Sequence, residues 1–209
     1  MDTLLQVLQP LFDTAFAIRG VPVSWLELIG CGLAVLMVVF NMRVNPVAWP
    51  LAIASSLLFF ALFWNSRLYG EAGLQIVFAV VAGWGWWQWL QGHQHDGAPL
   101  RVRHLHPSVR IKALLALALA WPVTALFLTT CTDSDVPWGD AFPTAASLVG
   151  QWLLGRKYVE NWPTWVAVNI ASVGLFAYKG LWFTTALYLL FVAMSFSGWR
   201  AWRRLAHDR

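Results

Sequence analysis

Seven apolar stretches, nearly free of charge and each close to the length needed to cross a bilayer, dominate this chain of 209 residues. About 20 apolar residues in a helix span the hydrocarbon core, with a range of about 17–25. The stretches are Trp25–Phe40, Val47–Trp64, Gly73–Leu90, Ala113–Thr130, Asp140–Leu154, Trp162–Tyr178 and Leu181–Trp202, the fifth being short. Only 11% of the residues are charged, against 59% that are apolar. A soluble domain carries roughly 25% charged residues to build its polar skin, and this composition cannot supply one. Disorder, collagen and a disulfide scaffold are excluded too. The pattern predicts an all-α integral membrane protein with seven transmembrane helices.

Ahead of the first span, Thr3–Ile18 reads as a short amphipathic helix lying at the surface, with Leu4, Leu5, Val7, Leu8, Leu11, Phe12 and Phe16 as its apolar residues. The start MDTLLQVLQP has no basic n-region, so no signal peptide is expected. Cys31 and Cys131 stand far apart without a companion motif, which fits neither a zinc site nor a redox pair. The basic residues set the orientation. Arg43, Arg101, Arg103, Arg110, Lys112, Arg156, Lys157, Arg200, Arg203, Arg204 and Arg209 fall on one side of a seven-span arrangement, leaving Arg19, Arg67 and Lys179 of the 14 on the other. The positive-inside rule then places the N-terminus outside and the C-terminus in the cytoplasm.

The chain also repeats itself. Aligning Trp49 with Trp165 pairs Asn45 with Asn161, Ser56 with Ser172 and Phe60 with Phe176. After a three-residue gap near Asn65, Leu68 pairs with Leu181, Leu74 with Leu187 and Phe78 with Phe191. Each half ends on GWxxW: Gly85, Trp86 and Trp89, then Gly198, Trp199 and Trp202. Three spans, a separate fourth and three more give two halves of the same orientation, a pattern of transporters. The expected division is an N-terminal amphipathic segment (1–22), a first three-helix bundle (23–91), a cytoplasmic loop (92–111), a linker helix (112–131), a second three-helix bundle (132–204) and a tail (205–209). The linker is almost pure Ala and Leu around Pro122, which suits a connecting role and a bend.

Polar side chains inside a span are costly and face the bundle interior or a cavity. Trp162, Trp165 and Asn169 stand at i, i+3 and i+7, on one helical face. Two indoles one turn apart can cover an aromatic ring, and an amide one turn deeper can bond its polar edge. Gln75 in the third span, Tyr188 at the matching position of the seventh, and Gln151 with Ser147 in the fifth could converge on the same midplane pocket. Trp86, Trp87, Trp89, Trp199 and Trp202, at the cytoplasmic ends, read as interfacial anchors.

The runs ENWPTWVAVN (Glu160–Asn169), YKGLWFTTALY (Tyr178–Tyr188) and LYGEAGLQ (Leu68–Gln75), with the two GWxxW endings, resemble the PnuC nicotinamide riboside transporters from about Trp25 to Trp202. The resemblance implies a full-length SWEET-type fold, with two three-helix bundles joined by a linker helix (3+1+3), and a homotrimer in the bacterial inner membrane. It also implies facilitated diffusion of nicotinamide riboside, trapped inside the cell by a cytoplasmic kinase. Carried over by motif, the substrate-binding residues are Trp162, Trp165 and Asn169, with Gln75. The chemistry suits that substrate: indole faces attract a pyridinium cation, by roughly 0.5–2 kcal/mol each, and an amide both donates to and accepts from a carboxamide.

Thiamine, also flat and cationic, would be served equally well by the two indoles and is the nearest competitor. Sugar transport would not require so many tryptophans. A membrane-embedded enzyme would need a catalytic constellation. His93, His95, His104 and His106 share one polar loop but lack a carboxylate framework beyond Asp96, and no nucleophile elbow, phosphate loop or HExxH is present. No enzyme activity, catalytic residue, cofactor, metal or nucleic-acid partner is expected.

Overall fold

The computed structural model describes residues 9–18, 20–65, 69–93, 97–132 and 136–207. Seven helices run in chain order among them: α1 (Trp25–Met42), α2 (Ala48–Asn65), α3 (Tyr69–Gln91), α4 (Pro107–Cys131), α5 (Pro137–Gly155), α6 (Asn161–Tyr178) and α7 (Trp182–His207). Each of the seven expected spans is a helix, the short fifth included. Local chemistry sets several starts. Ser24 caps α1 by accepting the Glu27 amide at 3.1 Å, and His106 caps α4 ahead of Pro107. By length and composition α1, α2, α4 and α7 can cross a membrane. The other three carry much of the glycine and buried polar content described below.

The N-terminal segment departs from expectation. Residues 1–8 lie outside the described residues, and the rest of the expected amphipathic helix is a 3-10 turn at Gln9–Phe12 followed by a strand, β1 (Thr14–Ile18). β1 pairs antiparallel with β2 (Val21–Ser24), Ile18 opposite Val21, and Gly20 sits in the turn at φ +83°. The residues TAFAI and VPVS have strand composition around a glycine that tolerates positive φ, and this two-residue hairpin signal outweighs the apolar spacing upstream.

Packing between the helices closes a ring: α1 against α2, α2 against α3, α3 against α5, α5 against α6, α6 against α7, and α7 back against α1. α4 packs on α5 from outside. Along it only Ala125 is buried, while Leu114, Leu119, Val123 and Leu126 are more than half exposed. Its helix runs unbroken through Pro122.

The internal repeat is visible in the packing, with one correction. The spacing that separates Gly85 from Gly198 also separates Trp49 from Trp162, not from Trp165, and no gap is needed. An indole lies directly over each glycine, Trp49 over Gly85 and Trp162 over Gly198. Trp49 meets Trp89 edge-on at 5.4 Å, and Trp162 meets Trp202 edge-on at 5.7 Å. The same spacing relates Val44 to Lys157, both left-handed at φ +54° and +57°. Each closes its preceding helix the same way, with Asn45 N–H reaching the Phe40 carbonyl and Tyr158 N–H the Leu153 carbonyl. The misalignment has a simple cause: a slip of three keeps a helical residue near its original face, so Trp-rich sequences match almost as well one turn out of register.

Candidate functional site on α5, α6 and α7

The polar face expected on α6 is present and turned inward. Asn169 is 5% exposed and Ser172 3%. Asn169 Nδ2 donates to Ser195 Oγ on α7 at 3.2 Å. Ser195 is itself 2% exposed, so the pair is a buried link between two helices. Asn169 stands about 12 Å from the start of α6, near the middle of the helix. Its carbonyl oxygen keeps acceptor capacity beyond that bond.

Trp165, half-buried one turn earlier, lies against α5. A Cβ on Gly150 would come within 3.2 Å of its ring, so only glycine lets the indole lie this close without displacement. The neighbouring Gln151 is 8% exposed and its Oε1 has no hydrogen-bond partner among the described residues; Ser147, one turn away, is equally buried. Because α5 turns into α6 within 156–160, Gln151 and Trp165 lie at similar depth, each about 6 Å from its end of the turn. An indole face, an unpaired buried amide oxygen and a second amide one turn deeper are the groups that a flat, polar-edged ring would engage. A buried acceptor left unpaired costs about 1–3 kcal/mol, so a donor brought to Gln151 is favoured.

The remaining candidates are placed differently. Trp162, 2% exposed, is part of an aromatic core with Trp49, Trp89 and Trp202 rather than on the Trp165 surface. Among the described residues its indole N–H has no partner, and neither does that of its repeat mate Trp49. Gln75 is half-buried on α3, in the other half of the ring. Tyr188 packs between Phe176 at 5.0 Å and Phe191 at 5.7 Å. The anchor reading also needs correcting for two residues. Trp89 is 8% exposed and Trp202 0%, and each donates its indole N–H to a backbone carbonyl, while Trp86 and Trp87 are exposed as expected.

The loop after α3 is packed onto the α5–α6 turn rather than merely solvated. Val159 N–H reaches the Arg103 carbonyl, Leu100 and Leu105 are buried, and Lys157 Nζ donates to the Leu100 carbonyl at 3.1 Å beneath the Trp89 ring. Burial pushes the Lys157 ammonium below the usual lysine value. Buried Gln88 accepts from Arg156 at 3.0 Å at the same end. His95 lies outside the described residues, and among the described residues no three His, Cys, Asp or Glu side chains gather as a metal site would need.

Sequence reasoning missed Ser195 and Gly150. Neither serine nor glycine in an apolar helix carries a signal of its own; only their partners Asn169 and Trp165 identify them.

The family model for the nicotinamide mononucleotide transporter matches residues 24–204. The riboflavin/roseoflavin transporter RibM of Streptomyces davaonensis is 29% identical over 191 residues, covering 90% of this chain and 89% of that protein. The nicotinamide riboside transporter PnuC of Escherichia coli is 26% identical over 216 residues, covering 91% and 90%. The crystal structure of the vitamin B3 transporter PnuC shares the fold at a TM-score of 0.72 and 22% identity, covering 88% of this chain and 83% of that one.

Proposed function

The chain belongs to the nicotinamide mononucleotide transporter family, and from that membership we propose that it carries nicotinamide riboside across the bacterial inner membrane by facilitated diffusion. One observation carries the substrate reading. Asn169, held by Ser195, stands one turn beyond Trp165, and Trp165 packs on Gly150, next in sequence to Gln151, whose buried oxygen has no partner among the described residues. In this reading Trp165 stacks on the pyridinium cation, and Gln151 and Asn169 take the carboxamide and ribose. Trp162 joins the site when the aromatic core rearranges, and Gln75 and Tyr188 close it from the outer third. Two parallel three-helix bundles, α1–α3 and α5–α7, joined by α4, rock about this site in alternating access. Phosphorylation by a cytoplasmic kinase traps the substrate, and the chain assembles as a homotrimer with its N-terminus outside.

Riboflavin is the second reading, favoured by the relative from Streptomyces. It too presents a flat ring with an imide edge, but it carries no positive charge. Binding to the purified protein separates the two. Nicotinamide riboside is expected to bind near the micromolar range, about −8 kcal/mol, with riboflavin and thiamine at least tenfold weaker. Tighter riboflavin binding overturns the nicotinamide reading. Orientation has its own test: an impermeant thiol reagent added outside should label Cys131, which is exposed, and spare Cys31, which is buried.

A further inference from the structure

The transport site leaves unused a cleft of about 470 Å³ at the basic end of the ring, between α4 and the α5–α6–α7 side. It exists because α4 packs on α5 and stands off the rest. Its walls are apolar, with Leu114 and Leu117 from α4, Leu153 from α5, Pro163 from α6 and Trp199 from α7. Its mouth is charged. Arg110 comes from α4, Arg203 from α7, and Glu160 from the turn between α5 and α6. Glu160 is already engaged: its Oε1 takes Arg110 at 3.2 Å and His104 at 3.3 Å, and its Oε2 takes the Leu105 amide at 2.9 Å. Arg203 is exposed and makes no ion pair among the described residues. Two arginines against one carboxylate leave one positive charge in excess at the mouth of an apolar slot.

We propose that this cleft binds one anionic phospholipid of the adjoining leaflet. The phosphodiester sits between Arg203 and the free edge of Arg110, and an acyl chain runs along Leu114 and Leu117. Charge complementarity selects the ligand: a phosphodiester with an uncharged polar headgroup brings the single negative charge the mouth lacks. A zwitterionic lipid brings a compensating cation. Leu117 lies about 10 Å along α4 from Arg110, so the slot extends from headgroup level into the acyl region. Basic side chains at this level attract anionic lipid, and Trp199 has the amphipathic ring favoured there. Free phosphate would leave the apolar walls unused.

The test uses the full chain, purified in detergent and delipidated, then titrated with phosphatidylglycerol, phosphatidylcholine or inorganic phosphate and read by native mass spectrometry. One phosphatidylglycerol should be retained per chain, in preference to phosphatidylcholine, and inorganic phosphate should not displace it. Arg203→Gln, which spares the Arg110–Glu160 pair, should weaken phosphatidylglycerol about fivefold, the effect of one arginine at a membrane surface, and leave phosphatidylcholine unchanged. Leu114→Trp should weaken both lipids by filling the slot. Equal retention of the two lipids, or an unchanged preference in Arg203→Gln, overturns the proposal. So does displacement by phosphate, which would make the site one for a free anion. Cross-linking between copies through Leu117→Cys would overturn it too, by assigning the cleft to a second chain.

Discussion

Trp89 and Trp202 make the same bond in opposite directions across the ring. Trp89 on α3 donates its indole N–H to the Leu154 carbonyl at the end of α5, and Trp202 on α7 donates to the Asn41 carbonyl at the end of α1, both at 3.0 Å. The two rings lie 6.1 Å apart. These bonds tie α3 to α5 and α7 to α1, at the end where the basic residues gather.

These bonds should be separable from packing. Trp89→Phe and Trp202→Phe each remove one donor, while the Leu154 carbonyl keeps the Lys157 amide and the Asn41 carbonyl keeps the Val44 amide, so each should cost about 0.5–1.5 kcal/mol. Trp202→Ala also opens a cavity and should cost about 3–5 kcal/mol. Thermal unfolding in detergent checks this order. An interfacial anchor, by contrast, would tolerate phenylalanine with little loss.

The two glycines under the indoles make a sharper test. A Cβ at Gly85 or Gly198 collides with the ring of Trp49 or Trp162, whereas one at Gly174 meets nothing within 4 Å. Gly198→Ala should therefore destabilise by about 1–3 kcal/mol or more through overpacking, and Gly174→Ala should stabilise by about 0.5–1 kcal/mol through helix propensity. Similar melting temperatures for the two variants would mean that the indole does not lie over Gly198.

What the sequence disclosed and what it hid follow from the kind of signal involved. The seven helices were legible because apolar runs of bilayer length have few alternative readings. The inward face of α6 was legible because Asn169 is costly anywhere else. The roles of individual tryptophans were not. Trp86 and Trp89 share one motif and one helix end, yet the first is exposed and the second is core, since only the facing helix decides which indole is covered. The repeat was recognised, but its register slipped by almost one turn, a shift that a helix nearly conceals.

At the proposed substrate site, Trp165→Ala should weaken nicotinamide riboside binding by about 1–3 kcal/mol, the combined scale of cation–π and packing losses. Gln151→Leu and Asn169→Leu should each weaken it by about 1–2 kcal/mol through a lost hydrogen bond. Asn169→Leu also breaks the bond to Ser195, so its melting temperature must be measured beside its affinity. Calorimetry showing three unaltered affinities would remove all three residues from the site.

Lys157 links stability to pH in a stated direction. Its folded-state value is lowered by burial, so between that value and the usual lysine value of about 10.4 the unfolded chain binds more protons than the folded one. The charged ammonium penalises folding below the folded value, and the penalty fades as pH rises through it. The melting-temperature difference between Lys157→Met and the parent chain should therefore shift in favour of the parent as pH is raised from neutral towards 10. A difference independent of pH would mean that the lysine is not desolvated.

Transport should be passive. A carrier coupled to protons or sodium needs a membrane-embedded group whose charge or ligation changes with the ion, usually Asp, Glu or His. The buried polar side chains among the described residues are all neutral: asparagine, glutamine, serine and threonine at positions such as Asn41, Gln88, Gln151, Asn169 and Ser195. Glu27 stands in the first turn of α1, beside a small cavity of about 140 Å³ shared with Pro22, Gly180 and Thr184, well away from Asn169 along the chain. In liposomes containing only this protein, nicotinamide riboside should equilibrate and never exceed its outside concentration, with or without a pH or sodium gradient. Accumulation driven by either gradient and abolished by Glu27→Gln would make Glu27 the coupling residue and end the facilitator mechanism. Accumulation that survives Glu27→Gln would also end it, and would place the coupling group among residues other than Glu27.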